Sequence, residues 1–295
     1  MKKNINAYAL GGTLFIPANH KHLTVISYHD KFPALRSIVI DFEDGLTPRY
    51  HDNAFNNFKT LLPTLKPIKN FYRFIRPKSP EMLNEFLKLE NISNIDGFIL
   101  PKFSLQNCEK YLALLGPTSF QFMPSIEGEE LFDSNKLISL RKILQPYHDR
   151  VILIRFGAED MLKQLGLIKS ESLYKMLVPQ AVISSIMMTF KPYGFDVSAP
   201  VFKAFKDNNG FSKEVTYELE NGFVSKTIIH PNQIELLNNC YKVSQKEYDL
   251  AKKLLSSHDV VFAVDGEMAE TATQSAWAQR IINRFNIYNY NISTK

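Results

Sequence analysis

Short apolar runs in this chain repeatedly end in residues able to do chemistry. IVIDFED carries Asp41, Glu43 and Asp44, and FYRFIR carries Arg73 and Arg76. GFILPK ends on Lys102, FQFMPSIE on Glu127, and VILIRFGAED on Glu159 and Asp160. Asn19 and His20 follow the first such run, and Asp196 and His230 lie in the last two. Carboxylates that converge without a cation repel one another, so a convergent set points to a divalent metal. Arginine faces such a set well, because its planar fork matches the two oxygens of a carboxylate ligand.

Each acid also has a plainer reading. Asp44 and Glu159 sit where a helix begins, and acids are favoured there whether or not they ligate anything. Strand alternation puts Asp41 and Glu43 on one face and Asp44 on the other. Glu127 is followed by Gly128, which lets the backbone approach a ligand closely, and Glu129 and Glu130 are free to do any capping. His230, before a proline, reads as a partner for a neighbouring loop rather than as a catalytic base. Lys102 either binds an anion or bridges to Asp44 or Glu127.

The elements that carry these residues alternate regularly. Eight apolar runs, at 13–18, 37–44, 71–76, 97–102, 120–127, 151–160, 195–202 and 226–231, are separated by amphipathic stretches such as PEMLNEFLKLENI and SNKLISLRKILQPY. Their density of Ile, Val, Phe and Leu suits parallel strands covered on both faces. Strand and helix alternating this way predict an α/β fold, a (β/α)8 TIM barrel, with an open doubly wound sheet as the alternative. In such a barrel the active site lies at the C-terminal ends of the strands. There is no G-x-G-x-x-G after the first strand and no G-x-x-x-x-G-K-[ST], which weakens dinucleotide and P-loop readings.

The 295 residues allow one large core or two modest ones. The net charge of +5 comes from scattered lysines, with no basic stripe interleaved with aromatics, so no nucleic-acid partner is expected. Cys108 and Cys240 make no disulfide framework and read as free thiols of a cytoplasmic protein. The N-terminal apolar patch is too interrupted for a signal-peptide core, and no segment approaches the roughly 20 apolar residues that span a bilayer.

LFIPAN, IVIDFEDG, DGFILPK, the IEG after MPS, FGAEDMLKQLG, TIIHPNQI and VDGEM occur in one order over residues 13–285. Together they resemble the HpcH/HpaI aldolase and citrate lyase β-subunit family, on its citryl-CoA lyase-like side. The resemblance implies a TIM barrel over residues 1–240 and a helical extension or lid over 241–295 that packs on a neighbouring subunit. It implies a homo-oligomer, trimer or hexamer, and a Mg²⁺-dependent carbon–carbon lyase or aldolase acting on a hydroxy acid or acyl thioester with a 2-oxo acid as product or partner. Glu127 and Asp160 match the family's metal ligands. Arg73 is the better match to the arginine that binds a substrate carboxylate, with Arg76 close behind. Glu43 and Asp44 match the acidic pair that binds metal-bound water or supports the metal. Glu270, in DGEMAE at 265–270, matches the acid delivered to a neighbouring barrel and is the expected proton carrier.

The chain departs from the family pattern in four places. HKHL replaces an early arginine after LFIPAN, Glu267 replaces a lysine, Glu270 replaces an aspartate, and Lys163 and Gln164 stand where another acid is frequent. These lie where a CoA thioester is expected, whereas the metal ligands are retained. A barrel that binds metal and oxo acid without turnover, as a regulatory or assembly subunit, is the alternative function. A phosphoenolpyruvate-like substrate would need a phosphate site, and no Gly-rich loop offers one.

Overall fold

The structure is a computed structural model that describes residues 4–169, 172–257, 261–264 and 267–289. It divides into two compact units, residues 1–234 and 235–295. The first unit contains β1 (Gly12–Pro17), β2 (Ser37–Asp41), β3 (Tyr72–Arg76), β4 (Gly97–Leu100), β5 (Gln121–Ile126), β6 (Arg155–Phe156), β7 (Ser198–Ala199) and β8 (Ser225–Ile228). The helices between them are α1 (Leu23–Ser27), α2 (His51–Leu61), α3 (Pro80–Leu87), α4 (Cys108–Leu115), α5 (Ser134–Leu144), α6 (Ala158–Gln164), α7 (Leu177–Phe190) and α8 (Asn208–Glu220). The strands are parallel and run in the order β6-β5-β4-β3-β2-β1-β8-β7. An Ile154↔Val197 bridge joins the two edges. There Ile154 N–H donates to the Asp196 carbonyl at 2.8 Å, and Ser198 N–H donates to the Ile154 carbonyl at 2.9 Å. The sheet closes into the expected barrel.

The sixth and seventh strands are much shorter than their apolar runs suggested. Each keeps only two ladder residues. Helix α6 begins two residues after β6, and Pro200, which has no N–H to donate, follows β7. The remaining strands match their runs within a few residues.

Two faces of each strand do different work. Arg155, on β6, reaches across the lumen to Thr13 Oγ1 on β1 at 2.8 Å, Thr227 Oγ1 on β8 at 3.1 Å and Ser198 Oγ on β7 at 3.3 Å. These alternate positions therefore line a polar interior. The opposite positions, among them Ile38, Ile40, Ile75 and Phe98, are fully buried beneath the helices. Outside β2 and β3, Phe42, Phe58 and Phe86 meet edge to face, with ring centroids 4.9 to 5.8 Å apart. Outside β8, the fully buried Lys226 ammonium lies against Glu214 and Glu218 of α8 and donates to the Pro200 carbonyl at 2.9 Å.

The second unit holds α10 (Gln245–Ser256), a hairpin of β9 (Val261–Val264) and β10 (Glu267–Glu270), and α11 (Thr271–Tyr288), after α9 (Asn232–Cys240). Ser244 and Glu247 form a capping box that starts α10. Ala251, Leu254, Ala278 and Ile281 form its core, and Tyr248 stacks on Phe285 at 3.7 Å. Among the described residues no helix is long and apolar enough to cross a membrane.

Gly97 marks a close contact between strands. A β-carbon there would fall well inside van der Waals distance of the Gln121 carbonyl oxygen of β5 and close to Phe74. Gly97→Ala should therefore destabilise the barrel by about 1–3 kcal/mol, read as a lower urea midpoint with unchanged slope. An unchanged midpoint would show that the β4–β5 pairing yields without cost.

Candidate active site at the barrel mouth

The C-terminal ends of β2 and β3 are locked by one arginine. Arg76 Nε and Nη2 donate to Asp41 Oδ1 and Oδ2, each at 2.7 Å, a bidentate pair set by the Asp41↔Arg76 register. Arg76 Nη1 lies 2.8 Å from Glu43 Oε2. Guanidinium has five N–H donors, so each terminal nitrogen keeps one to offer a ligand. Asp41 also accepts from the backbone N–H of Glu43 at 3.0 Å and of Gly45 at 3.1 Å, which shapes the turn after β2. Lys102, beyond β4, reaches back to Glu43 and, at 3.4 Å, to Asp44. Its φ of 48° is left-handed, and Asn107 Nδ2 braces it by donating to its carbonyl at 2.8 Å.

Glu127 ends β5 beside this cluster. One oxygen each from Glu43, Asp44 and Glu127 lie within 4.8 Å of one another. Glu127 is buried, Ser125 hydrogen-bonds its carboxyl group, and Oε2 has no hydrogen-bond partner. Asp160, in the first turn of α6, is half-buried on another side of Glu127. Its carboxylate has no hydrogen-bond or ion-pair partner among the described residues. Gly157 separates the two acids: a β-carbon there would lie 2.7 Å from Glu127 Cγ and 3.2 Å from Asp160 Oδ2. Gln164, one turn on, donates to the Glu127 carbonyl at 2.8 Å and to the Asp160 carbonyl at 3.2 Å.

The electrostatics separate these acids. Burial pushes Glu127 up to about 7, with Glu43 and Asp160 adding to it and Ser125 and Arg76 opposing. Burial likewise raises Glu43 against the pull of Arg76 and Lys102. Asp44 moves down: burial works the other way but is outweighed by a hydrogen bond from Glu43 and by the Arg76 and Lys102 charges. Neighbouring carboxyls pushed apart in this way suit an acid and a base side by side. A buried carboxylate oxygen without a partner, with a second free carboxylate across a glycine, fits a hard divalent cation that takes oxygen ligands.

The model of the C–C bond lyases of the TIM-barrel fold matches residues 4–290. The chain belongs to this lyase family. It is 25% identical over 252 residues to a (3S)-malyl-CoA thioesterase of Cereibacter sphaeroides, covering 80% of this chain and 82% of that protein. It is 28% identical over 129 residues to the citrate lyase subunit beta of Escherichia coli K12, covering 41% and 42%. The solved structure of CitE from Mycobacterium tuberculosis in complex with magnesium, acetoacetate and coenzyme A matches at TM-score 0.68 and 20% identity. It covers 95% of this chain and 99% of that one, a likeness of fold.

Within this lyase fold Glu43, Asp44, Arg76, Lys102, Glu127 and Asp160 come together at one mouth. Arg73, the expected carboxylate ligand, does not, and this is a correction. Its side chain faces away from the lumen, with Nε donating to the Ser27 carbonyl at 2.7 Å and Nη1 to the Lys66 carbonyl at 2.9 Å. Residues three apart on a strand fall on opposite faces, so the helix-facing layer takes 73 and the lumen takes 76. Asp196 precedes β7 at its other end and pairs with Lys191 at 2.8 Å. His230 stacks on Phe205 at 4.4 Å and accepts from Asn232 N–H, as a loop partner does. Glu159 turns to Lys203 at 2.8 Å rather than to the acids. In the second unit, Glu270 precedes α11 and its Oε2 accepts from Thr273 Oγ1 at 3.2 Å. Asp265 lies outside the described residues. Arg155 and the bridging role of Gln164 were not singled out from sequence; strict alternation along VILIRFG would have placed Arg155 in the lumen.

Glu127 must lose its proton to bind a cation. Mg²⁺ affinity should therefore rise with pH up to and through about 7, falling by up to about tenfold per unit below it, and Glu127→Gln should abolish that dependence. In the metal-free protein the sign is opposite. A folded-state pKa raised from 4.5 to about 7 contributes stability below 4.5 that is lost as pH rises through 7. Calorimetric titration between pH 6 and 8 checks the first; an affinity flat in pH would remove Glu127 from the ligand set.

Proposed function

We propose that this protein makes or breaks a carbon–carbon bond adjacent to the carbonyl of a small 2-oxo acid or its hydroxy-acid or acyl-thioester counterpart. One observation carries the reading: Glu127 Oε2 is buried and unpartnered where Glu43, Asp44 and Glu127 converge beside Arg76, and Gly157 leaves the side chains of Glu127 and Asp160 without a spacer between them. Relatives support the ligand class, since solved CitE structures hold magnesium with acetoacetate and coenzyme A, or oxaloacetate and magnesium. Glu127 and Asp160 are the residues proposed to hold Mg²⁺. When bound there the ion supplies a Lewis acid for the substrate carbonyl and compensates the charge of its oxygens.

The chain's own residues do the rest. Arg76 offers its remaining Nη1 and Nη2 donors to the substrate carboxylate, and Asp41 fixes the plane in which they point. Glu43, whose pKa burial raises, is placed to give a proton, and Asp44, held below its ordinary value, to accept one. Lys102 balances their charge at the rim. Glu270, delivered by a second copy of the chain, is the proposed carrier that exchanges the proton with the reacting carbon, which makes the working enzyme a homo-oligomer. The similarity to a malyl-CoA thioesterase favours a second reading, in which the same mouth directs water at a thioester carbonyl.

Mg²⁺-dependent exchange of deuterium into pyruvate or acetyl-CoA tests the lyase reading. No exchange with any small oxo acid or thioester, alongside intact Mg²⁺ binding, would sink it; release of free thiol without exchange would favour the thioesterase. Arg76→Lys keeps the charge and loses the fork, so KM for the oxo acid should rise roughly 10- to 100-fold. Arg73→Lys should leave KM unchanged. The reverse pattern would restore Arg73 to the site.

A further inference from the structure

The barrel has a second concavity at the N-terminal ends of its strands. It is a pocket of about 510 Å³ between the chain that precedes β1 and the segments that lead into β3, β4 and β5. Tyr72 and Gln121, the first residues of β3 and β5, line it. Tyr72 lies four residues before Arg76, and Gln121 two before Met123, whose sulfur accepts from Arg155 Nε, so both belong to the lumen-facing set. Gln121 and Glu127 stand at opposite ends of β5, which puts the pocket about 20 Å from the mouth.

Gln121 is the fixed donor of this pocket. It is 7% exposed, and its Oε1 accepts from the Ile5 N–H at 2.8 Å, which orients the amide. Its Nε2 has two protons to give and no hydrogen-bond partner among the described residues. The Tyr72 hydroxyl likewise has no partner among the described residues. Burial raises its pKa, with Arg36 opposing and Asp96 adding, so it is a protonated donor at neutral pH. Lys69 is exposed on a tight turn at the rim, in which Phe71 N–H donates to the Ile68 carbonyl at 3.3 Å and Asn70 takes a left-handed φ of 63°. Asp96, the acid of the lining, is held by the chain: its Oδ2 accepts from the Arg73 N–H at 2.8 Å. Lys69 offsets that charge, and the buried Arg36, whose Nε donates to the Ala9 carbonyl at 3.1 Å, adds a further positive one. The groups left open are therefore donors under a positive balance, and Ile5 and Ile68 give them apolar walls.

We propose that this pocket binds a small amphipathic monocarboxylate, with its oxygens on Gln121 Nε2 and the Tyr72 hydroxyl, its charge met by Lys69 and its alkyl part against Ile5 and Ile68. Two neutral donors and an ammonium suit a carboxylate, which only accepts, and a few convergent polar groups beside apolar walls are what a small-molecule site needs. None of these residues belongs to the barrel mouth, so the site holds whether or not the lyase reading does.

The test is calorimetric titration of the full chain, in EDTA so that no metal serves the mouth, with hexanoate as the probe. Acetate, which lacks the alkyl part, and hexanol, which lacks the charge, are its halves. Hexanoate should bind at least about tenfold more tightly than either, because both parts engage at once. Gln121→Glu keeps an acceptor for the Ile5 N–H and turns the open donor into a negative oxygen, so it should weaken hexanoate about tenfold or more with an unchanged melting temperature. The Tyr72→Phe/Lys69→Ala double variant removes only a hydroxyl and an exposed ammonium, and should weaken hexanoate about tenfold while leaving Mg²⁺ affinity unchanged. Glu127→Gln should leave hexanoate binding intact. No hexanoate binding at millimolar concentration, either half as tight as the whole, an affinity unchanged in a folded pocket variant, or loss of binding in Glu127→Gln would each overturn the proposal.

Discussion

The Arg76–Asp41 pair is the constraint on which the barrel mouth depends. Glu43, Asp44 and Glu127 bring oxygens within 4.8 Å of one another in a partly desolvated end of the barrel. Without a countercharge these groups would repel or protonate together. Arg76 supplies that charge and is itself held by two bonds to Asp41, so its direction is set by strand register rather than by a flexible loop. Removing one partner of a buried pair of this kind costs about 3–5 kcal/mol, because the other charge is left stranded. Asp41 is therefore as much a part of the site as the residues that face the ligand.

A second positive charge lies deeper. Arg155 has no carboxylate partner among the described residues and is held by three hydroxyls and the Met123 sulfur. Burial and the neighbouring Arg76 push it down to about 9, which leaves it protonated at neutral pH. Both guanidinium groups lie over the Phe15 ring, at 5.2 and 5.6 Å. The ring face is electron-rich and stabilises each cation. The lumen thus carries two positive charges at and beneath the mouth, which favours anionic substrates.

The barrel was legible in the sequence because parallel strands buried on both faces read as dense apolar runs, and eight of them fit one closed sheet. What failed was local. Runs 151–160 and 195–202 looked like long strands, but hydrophobicity does not say where the ladder stops; Gly157 and Pro200 do. Arg73 looked the better match, with Arg76 close behind, because a motif match tolerates a slip of a few residues. A strand does not: the period of two sends Arg73 under the helices and Arg76 into the lumen. Glu127 and Asp160 were readable as a pair only through the family resemblance, since they come from different elements and meet through a glycine whose missing side chain leaves no compositional trace.

Helix α6 shows how little chain is needed to join these features. It has seven residues, too few to be stable alone, and is fixed by what it touches. Gln164 ties its end to the Glu127 carbonyl, Met161 and Leu162 are buried, and Glu159 pairs with Lys203 on the β7–α8 loop. Anything that moves the helix moves Asp160 relative to Glu127, because Gly157 leaves no side chain between them to act as a spacer. The two residues at its end divide the work: Gln164 braces the Glu127 and Asp160 carbonyls, while its neighbour Lys163 is exposed to solvent.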